Sequence, residues 1–299
     1  MRWRLLFTVV APRGALMALA LTGARPAPAA EPDYSGYAML FSQRYAVARE
    51  YYSSGLRTNP RVLTTGFDYA RLRERQDPAG ADGTLAMIHR QLLAVAPSQM
   101  TAAERTAWGI NLYNFLVIRQ VVRHLGPAER PLQSVMDVKD FFEAPVVTVE
   151  DVSYSLNGFE RHFLFADFDR KSDAPPASLD PRVHFAIVCG ARGCPPLLGR
   201  PYRAVTLERD LEANTRAALE TRQHARMDPR TGRFTVSSIF DWYEKDFGGR
   251  AGVIEFLKRY GPTPLRLSFG SIGVETVTGF IPWDWRLNQV APQGDDEPR

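Results

Sequence analysis

The pattern of apolar and polar positions predicts a helical first half. Between residues 34 and 125 the apolar side chains recur at helical spacing, with breaks near residues 55–60 and 76–83, where Pro, Gly and Asp gather. The longest helix is expected over residues 102–125. Thr101 stands before it as an N-cap, followed three residues later by an acid, which is the pattern of a capping box. This helix should form part of the core.

The second half alternates short strands with turns and helices. Apolar residues at 146–149 and 152–156 predict a hairpin, and the apolar, β-branched run over 183–189 predicts a buried central strand. Residues 265–277 favour strand or irregular structure. Helices are expected after Thr206 and over residues 239–246 and 253–260. The whole pattern predicts an α+β fold: a helical N-terminal half packed on a small mixed or antiparallel sheet, in a single compact domain.

The first thirty residues have the features of an export signal. They combine a basic start, an interrupted apolar segment and small residues before a cut expected near Ala29 or Ala30. A retained membrane anchor is the alternative, but residues 12–14 split the apolar run below the length that a span needs. We therefore expect a periplasmic or secreted domain over residues 31–292 with no membrane segment after cleavage, and a flexible tail at 293–299.

The charge balance argues against a nucleic-acid partner. The 299-residue chain has a formal net charge of +4, but four of its arginines and none of its acids lie in the expected signal. Without those arginines it has 33 basic and 33 acidic residues. A neutral domain lacks the positive surface that phosphate backbones require. A small molecule or a peptide is the expected partner.

Both cysteines of the chain lie in or beside the predicted central strand. Alternation along the strand makes Cys189 a buried apolar residue, whereas Cys194 lies in a glycine-rich turn beside Arg192. A neighbouring cation favours the thiolate, so Cys194 is the better nucleophile. His184 is a poor partner for it, because the extended chain from residue 184 to 190 covers about 20 Å. A disulfide between the cysteines would close only a small ring, and the pair supplies half a zinc site at most, so no metal or cofactor is expected.

Several polar residues elsewhere are candidates for the same site. Asn111 and Asn114 share one face of the long helix, where their amides either bind backbone groups or line a pocket; the first reading is favoured. Glu160 follows Asn157 at the spacing of a capping box, which gives its carboxylate a structural explanation. His162 is the histidine that we would first test as a base for Cys194.

Five segments of the chain resemble the family called domain of unknown function 547 (DUF547). They are Trp108–Asn114, Tyr154–Glu160, Arg182–Pro196, Ser238–Gly248 and Trp283–Asn288, in the order of the family and over most of residues 60–290. The resemblance implies little about activity, since none is established for the family. The family pattern has Glu-His after the hairpin and Ser-Cys-Pro after the strand. Here His162 stands one place late and Gly193 precedes the cysteine, so Glu160 and Cys194 match by position and a histidine base does not.

Two functions of different classes follow from these residues. The first is a cysteine-dependent hydrolase or transferase acting on amide or thioester bonds, with catalytic Cys194, His162 and Glu160 and with Asn111, Asn114 and Arg192 binding substrate. The alternative is a non-catalytic binding or structural module whose cysteines are buried or disulfide-bridged. The distance from the sulfur of Cys194 to the nearest histidine would separate them most directly.

Overall fold

The computed structural model describes residues 31–51, 61–74, 83–127, 130–165 and 180–290. The expected export signal and the tail at 293–299 lie outside the described residues. The elements of the first part, in order, are α1 (Ser35–Ser42), β1 (Ala46–Tyr51), β2 (Arg61–Phe67), α2 (Tyr69–Glu74), α3 (Thr84–Leu92) and α4 (Ala102–His124). The second part contains β3 (Pro145–Val149), β4 (Val152–Ser155), α5 (Leu156–Phe159), α6 (Leu207–Leu219), β5 (Ala225–Met227), β6 (Phe234–Ser237), α7 (Ile239–Trp242), α8 (Gly249–Tyr260), α9 (Thr263–Ile272) and β7 (Val277–Ile281).

Helix α4 is the long helix that the sequence predicts, and its capping box is present. The Thr101 hydroxyl accepts a hydrogen bond from the backbone N–H of Glu104 at 3.3 Å, and the Glu104 carboxylate accepts one from the backbone N–H of Thr101 at 2.8 Å. Between Ala107 and Ile118 every residue is buried. A helix buried on all its faces lies inside the protein, so α4 is the element around which the first part packs.

The strands of the described residues form three small sheets. Strands β1 and β2 pair antiparallel, and so do β3 and β4, which confirms the predicted hairpin. In the third sheet β6 lies between an antiparallel β5 and a parallel β7. Together with the helices these sheets confirm the predicted α+β class. The sheets are separate, however, and not the single sheet that was expected.

Two stretches have a different secondary structure from the predicted one. The first half was expected to be helical but contains the β1–β2 pair, whose backbone groups bond to each other. Residues 263–272 form α9 although strand or irregular structure was favoured. Pro264 lies in the first turn of α9, where proline's missing N–H costs nothing and its fixed φ suits a helix.

The central strand predicted over residues 183–189 is absent. Residues Pro181–Phe185 form a 3₁₀ turn, which begins where the Asp180 carboxylate accepts a hydrogen bond from the Arg182 N–H at 3.0 Å. The rest of the segment is irregular, and side-chain amides bind its buried backbone groups. An apolar run indicates that a segment is buried, but a buried segment can be irregular if other groups bind its backbone N–H and C=O groups. The apolar pattern alone therefore could not distinguish a strand from this conformation.

The buried apolar side chains of the described residues form two large clusters and one small one. The first surrounds α4, and the second lies between the β5–β6–β7 sheet, α8 and α9. The small cluster contains Val188, Ala191 and Cys194, with Trp283 and Trp285 packed against it. The predicted chemistry therefore lies where the two halves meet. Among the described helices, none has the length and apolar character needed to span a membrane.

Candidate active site

A cavity of about 230 Å³ opens beside the small cluster. Its lining contains two thiols, one carboxylate and one imidazole, from Cys189, Cys194, Glu160 and His184. The remaining wall is mainly aromatic: Tyr113, Phe142, Trp242, Tyr243, Trp283 and Trp285. Concave, mostly apolar spaces with a few convergent polar groups are where proteins bind small ligands.

Two buried asparagines hold the segment that carries the thiols. Asn114 of α4 donates to the carbonyl of Ala186 and accepts from the N–H of Val188, both at 2.9 Å. Asn214 of α6 donates to the carbonyls of Phe185 at 2.5 Å and Pro196 at 2.9 Å. Both helices pack against this segment, and the two amides make the hydrogen bonds that a neighbouring strand would make. They therefore fix both ends of the turn that carries the cysteines, residues 189–194, which we call the cysteine turn.

The other side of the cysteine turn is held by the chain near its end. The N–H of Arg192 donates to the carbonyl of Arg286 at 2.8 Å, and that of Gly193 donates to the carbonyl of Asp284 at 2.9 Å. These bonds bring Trp283 and Trp285 to the cavity wall. Their rings meet that of Trp242, which is half exposed, at centroid distances of 5.0 and 6.0 Å.

The two cysteines are free and their sulfur atoms touch at 2.7 Å. The sulfur of Cys194 also accepts the backbone N–H of Cys189 at 3.0 Å. Burial raises the pKa of Cys194, but hydrogen bonds from the Cys189 thiol and from the backbone of residues 189–191 outweigh it, so the pKa is lowered. The pKa of Cys189 is raised well above its usual value by its hydrogen bond to Cys194 and by burial. Of the two thiols, Cys194 is therefore the one that loses its proton first.

His184 lies against the same cavity and is paired with an acid. Its Nε2 is 3.0 Å from the Oδ2 of Asp246, and its ring stacks between Phe165 and Tyr243 at centroid distances of 4.2 and 4.0 Å. Burial lowers the pKa of His184, although Asp246 opposes this. His184 is thus an imidazole oriented by Asp246, whose lowered pKa favours the neutral form and whose buried Nδ1 has no partner among the described residues.

Glu160 contributes a buried carboxylate. It begins a π-helical turn, Glu160–Leu164, directly after α5, a local irregularity often found at functional sites. The hydroxyl of Tyr243 lies 3.4 Å from Oε1, and that of Tyr113 also bonds to the carboxylate. Burial raises the pKa of Glu160 to about 7, and these hydroxyls only partly offset it. Near neutral pH the group both gives and takes a proton readily.

The structure brings two of the three predicted catalytic residues together. Cys194 and Glu160 line the cavity, whereas His162 does not; its Nε2 lies 3.3 Å from the hydroxyl of Tyr154. The capping role expected for Glu160 is wrong, because Ser155 caps α5 by accepting the N–H of Gly158 at 3.0 Å. The carboxylate is thereby left to the cavity.

The three residues predicted to bind substrate lie outside the cavity lining. Asn114 binds the backbone of the cysteine segment, as described above, and Asn111 binds Tyr202 in the same way, through its backbone N–H at 2.9 Å and carbonyl at 2.8 Å. This is the structural reading that the sequence favoured. Arg192 donates to the carbonyl of Leu287 at 3.3 Å. The groups that lower the pKa of Cys194 are backbone N–H groups and the Cys189 thiol.

Sequence reasoning did not find His184, Asp246, Tyr243 and Trp283 as site residues. His184 was set aside because an extended strand would hold it far from Cys194; the segment is a 3₁₀ turn and not a strand, and both residues line the same cavity. The other three lie in the segments 238–248 and 283–288, which the resemblance already marked. Within the described residues no group of three or more His, Cys, Asp and Glu side chains is placed to hold a metal ion.

These features define an α+β domain with a dithiol, a histidine–aspartate pair and a buried carboxylate around one cavity. Residues 97–218 match the family described as "Protein of unknown function, DUF547", and the chain is a DUF547 domain-containing protein. The matched region contains Glu160, His184 and both cysteines, while Asp246 and the tryptophans of the wall follow it. No similar protein was found among curated sequences, and none among solved structures.

Proposed function

We propose that this domain is a cysteine-dependent hydrolase or transferase acting on thioester or amide bonds. The observation that carries the proposal is the meeting, in one cavity, of a hydrogen-bonded thiol pair, an oriented histidine and a carboxylate with a pKa of about 7. Perturbed titratable groups that converge on a cleft are characteristic of catalytic sites. A purely structural dithiol needs none of the other groups.

Cys194 is the nucleophile of the proposed reaction. Its thiolate attacks the carbonyl carbon of the substrate, forming a C–S bond while the carbonyl π electrons move to oxygen. When they return, the bond to the leaving thiol or amine breaks and an S-acyl enzyme remains. The Cys189 thiol, 2.7 Å away, supports the thiolate by hydrogen bonding.

Glu160 and His184 supply the proton transfers. The protonated Glu160 donates to the leaving group, for which a pKa of about 7 is suited near neutral pH. In the second half-reaction neutral His184, oriented by Asp246, takes a proton from the water or thiol that attacks the acyl group. The carbonyl re-forms, and the Cys194 thiolate departs with the electrons of the C–S bond. His184 then releases its proton to solvent and Glu160 takes one up, which restores the starting state.

The lining of the cavity indicates the kind of substrate. It contains no Lys or Arg within the described residues, and its only carboxylate is Glu160. Burying an anionic group there without a partner is costly, so an uncharged acyl group is favoured. A volume of about 230 Å³ suits a small acyl group or one side chain of a peptide. The export pattern of the first thirty residues supports a periplasmic or extracellular substrate.

The test is acylation of the full chain by S-phenyl thioacetate, followed by intact mass and by release of thiophenol. We expect wild type to gain one acetyl group, Cys194→Ala to gain none, and Cys189→Ala to react more slowly. His184→Ala should accumulate the acyl enzyme because its hydrolysis slows by about 10²-fold or more. His162→Ala is the matched control and should hydrolyse it at the wild-type rate. Acylation that persists in Cys194→Ala contradicts the proposal.

The contact between the two sulfur atoms favours the alternative, a module with a Cys189–Cys194 bridge and no catalysis. Bridging would consume the nucleophile. Intact mass of exported protein, with and without dithiothreitol, separates the two functions. A loss of two hydrogens that is restored only by the reductant, together with no acylation after reduction, favours the non-catalytic module.

A further inference from the structure

The two thiols of the cavity lie close enough to be joined. Their sulfur atoms touch at 2.7 Å, both cysteines are free, and both line the cavity. Only four residues separate them, and the N–H of Cys194 donates to the carbonyl of Ala191 at 3.2 Å, which folds the cysteine turn back on itself. An S–S bond is about 2.05 Å long, so a small displacement of the sulfur atoms is enough to form one.

The Cys194 sulfur is the reactive member of this pair. The backbone N–H of Cys189 donates to it at 3.0 Å, and the backbone of Gly190 and Ala191 also hydrogen-bonds to it. Burial raises the pKa of Cys194, but these bonds and the Cys189 thiol outweigh burial and lower it. The thiolate is the form that hydroperoxides oxidise, and the cavity admits a molecule of that size. An oxidant that enters the cavity should therefore react first with Cys194.

The protonation of Cys189 depends on the state of Cys194. The hydrogen bond to the Cys194 sulfur is the largest cause of the raised pKa of Cys189, followed by burial and by the charge of Cys194. The backbone of Ala191 and the side chain of Trp283 hydrogen-bond to the Cys189 thiol and oppose the rise. Oxidation of Cys194 removes its negative charge and the bond to it, while the opposing bonds remain. Cys189 then gives up its proton more easily and becomes a nucleophile beside the oxidised sulfur.

We propose that Cys194 is a site of reversible oxidation by hydroperoxides and that Cys189 is the residue that resolves it. The Cys194 thiolate attacks the hydroxyl oxygen of the peroxide and the O–O bond breaks. The departing hydroxide or alkoxide takes a proton from water, and a sulfenic acid remains on Cys194. The Cys189 sulfur, as it loses its proton, attacks the Cys194 sulfur; the S–S bond forms, the S–O bond breaks, and the hydroxyl leaves with that proton as water. A small thiol reductant returns the two electrons and opens the bridge.

The bridge protects the nucleophile from permanent loss. A sulfenic acid that no thiol captures is oxidised further to a sulfinic acid, which is not reversed by ordinary thiols. Capture by Cys189 is intramolecular and needs no partner protein, because its sulfur already touches that of Cys194. While the bridge is present, the proposed acyl transfer stops. The inference does not rest on that activity, because it concerns the two sulfur atoms and their hydrogen bonds alone.

The test uses the full chain, reduced with dithiothreitol, freed of it and treated with hydrogen peroxide. Remaining thiols are blocked with iodoacetamide before digestion by trypsin. Cleavage after Arg192 places the two cysteines in different peptides, residues 183–192 and 193–203, neither of which contains methionine. We expect wild type to yield the two peptides joined, with the loss of two hydrogens. Dithiothreitol added to the folded protein should reverse this loss.

Two variants separate the roles of the cysteines. In Cys189→Ala the peptide 193–203 should gain two or three oxygens, and dimedone, which traps sulfenic acids, should label it more than in wild type. In Cys194→Ala the peptide 183–192 should stay unoxidised at a dose of peroxide that bridges wild type completely. The digestion of wild type needs no variant, so it covers the case in which a variant does not fold.

Four results overturn the inference: wild type that stays reduced, wild type that gains oxygens and no bridge, a bridge that dithiothreitol does not open in the folded protein, or Cys189→Ala that is oxidised no further than wild type. The proposed function is judged separately. If wild type forms the reversible bridge but S-phenyl thioacetate never acylates the reduced protein, the inference stands and the proposed function fails.

Discussion

At the scale of single residues, Glu160 shows how burial prepares a side chain for chemistry. Its carboxylate has two tyrosine hydroxyls as partners, and Arg161 lowers its pKa only to a lesser extent. Hydroxyls stabilise the charged form less than a buried cation would, so desolvation dominates and the pKa rises to about 7. The tyrosines thus leave Glu160 able to exist in either protonation state near neutral pH.

Replacing Glu160 should change how the reaction depends on pH and on the leaving group. In wild type, acylation by an alkyl thioester should slow as the pH rises through about 7, because Glu160 loses the proton that the departing alkyl thiolate needs. Glu160→Gln should be slower by 10²-fold or more with this donor, and the decline centred near pH 7 should be absent. Acylation by S-phenyl thioacetate, whose aryl thiolate leaves without a proton, should change little.

Rates of acylation of both proteins from pH 5 to 9, with each donor, check this expectation. If Glu160→Gln retains the decline near pH 7, another group controls the proton transfer. If it slows both donors equally, Glu160 has a role other than protonating the leaving group.

The sequence identified single residues when their local setting was enough. Cys194 stood out because it lies in a turn, and Glu160 because it matches a family position; both line the cavity. His184 was missed because its distance from Cys194 depends on whether the chain between them is extended. Asp246 and Trp283 reach the site only through tertiary contacts, which no local pattern contains.

At the scale of elements, the cysteine segment is held by helices and not by strands. Asn114 and Asn214 make the bonds to the backbone that a neighbouring strand would make. Helix α4 and the β3–β4 hairpin were predicted well because periodicity and turn residues are local signals. The segment 183–189 was not, since its conformation depends on two amides that lie far away in the chain.

Removing one of these amides should loosen the cysteine segment. Asn114→Ala leaves the carbonyl of Ala186 and the N–H of Val188 without their partner, which should lower the free energy of unfolding by about 1–3 kcal/mol per unsatisfied group. The rate at which Cys194 is alkylated should also differ from that of wild type, because the turn that positions the hydrogen-bond donors of its sulfur is no longer held.

Asn111→Ala provides the matched control, since it removes two equivalent bonds from the same helix but at Tyr202. It should cost similar stability in urea unfolding and leave the rate of Cys194 alkylation as in wild type. Equal effects of the two variants on alkylation would show that Asn114 acts through overall stability alone.

At the scale of the whole molecule, the cavity combines residues from distant parts of the chain. Its walls extend from Tyr113 to Trp285, while the family match ends at residue 218. The α+β class was predictable from the order of the elements. The cavity was not, because it forms only when the chain near its end packs on the cysteine turn.

The burial of Glu160 in this cavity should make the free energy of unfolding of the whole protein fall as the pH rises. The pKa of Glu160 in the folded protein, about 7, lies above its usual value of 4.5, so its contribution is complete below pH 4.5 and is lost as the pH rises through 7. The rise corresponds to roughly 3 kcal/mol. Glu160→Gln should not show that loss. The free energy of unfolding of the variant, measured relative to that of wild type, should therefore increase between pH 4.5 and 8.

His224, which is also buried, should change the free energy of unfolding in the opposite direction as the pH rises. Burial lowers its pKa from 6.5 to about 3, so stability is lost as the pH falls below 6.5, in both wild type and Glu160→Gln. Urea unfolding at intervals from pH 4 to 8 measures both slopes. Parallel curves for the two proteins between pH 4.5 and 8 would contradict the assignment of Glu160.

The contact between Gly193 and Trp283 also has a consequence for how sequences of this family can diverge. A side chain at 193 and an indole at 283 would occupy the same space, since the Cβ alone would approach the ring to 2.8 Å. The family pattern has a serine at the first position and also matches the segment that begins at Trp283. We therefore expect relatives that keep both residues to hold the indole farther from the cysteine turn, so that the end of the chain packs on that turn differently from the way it does here.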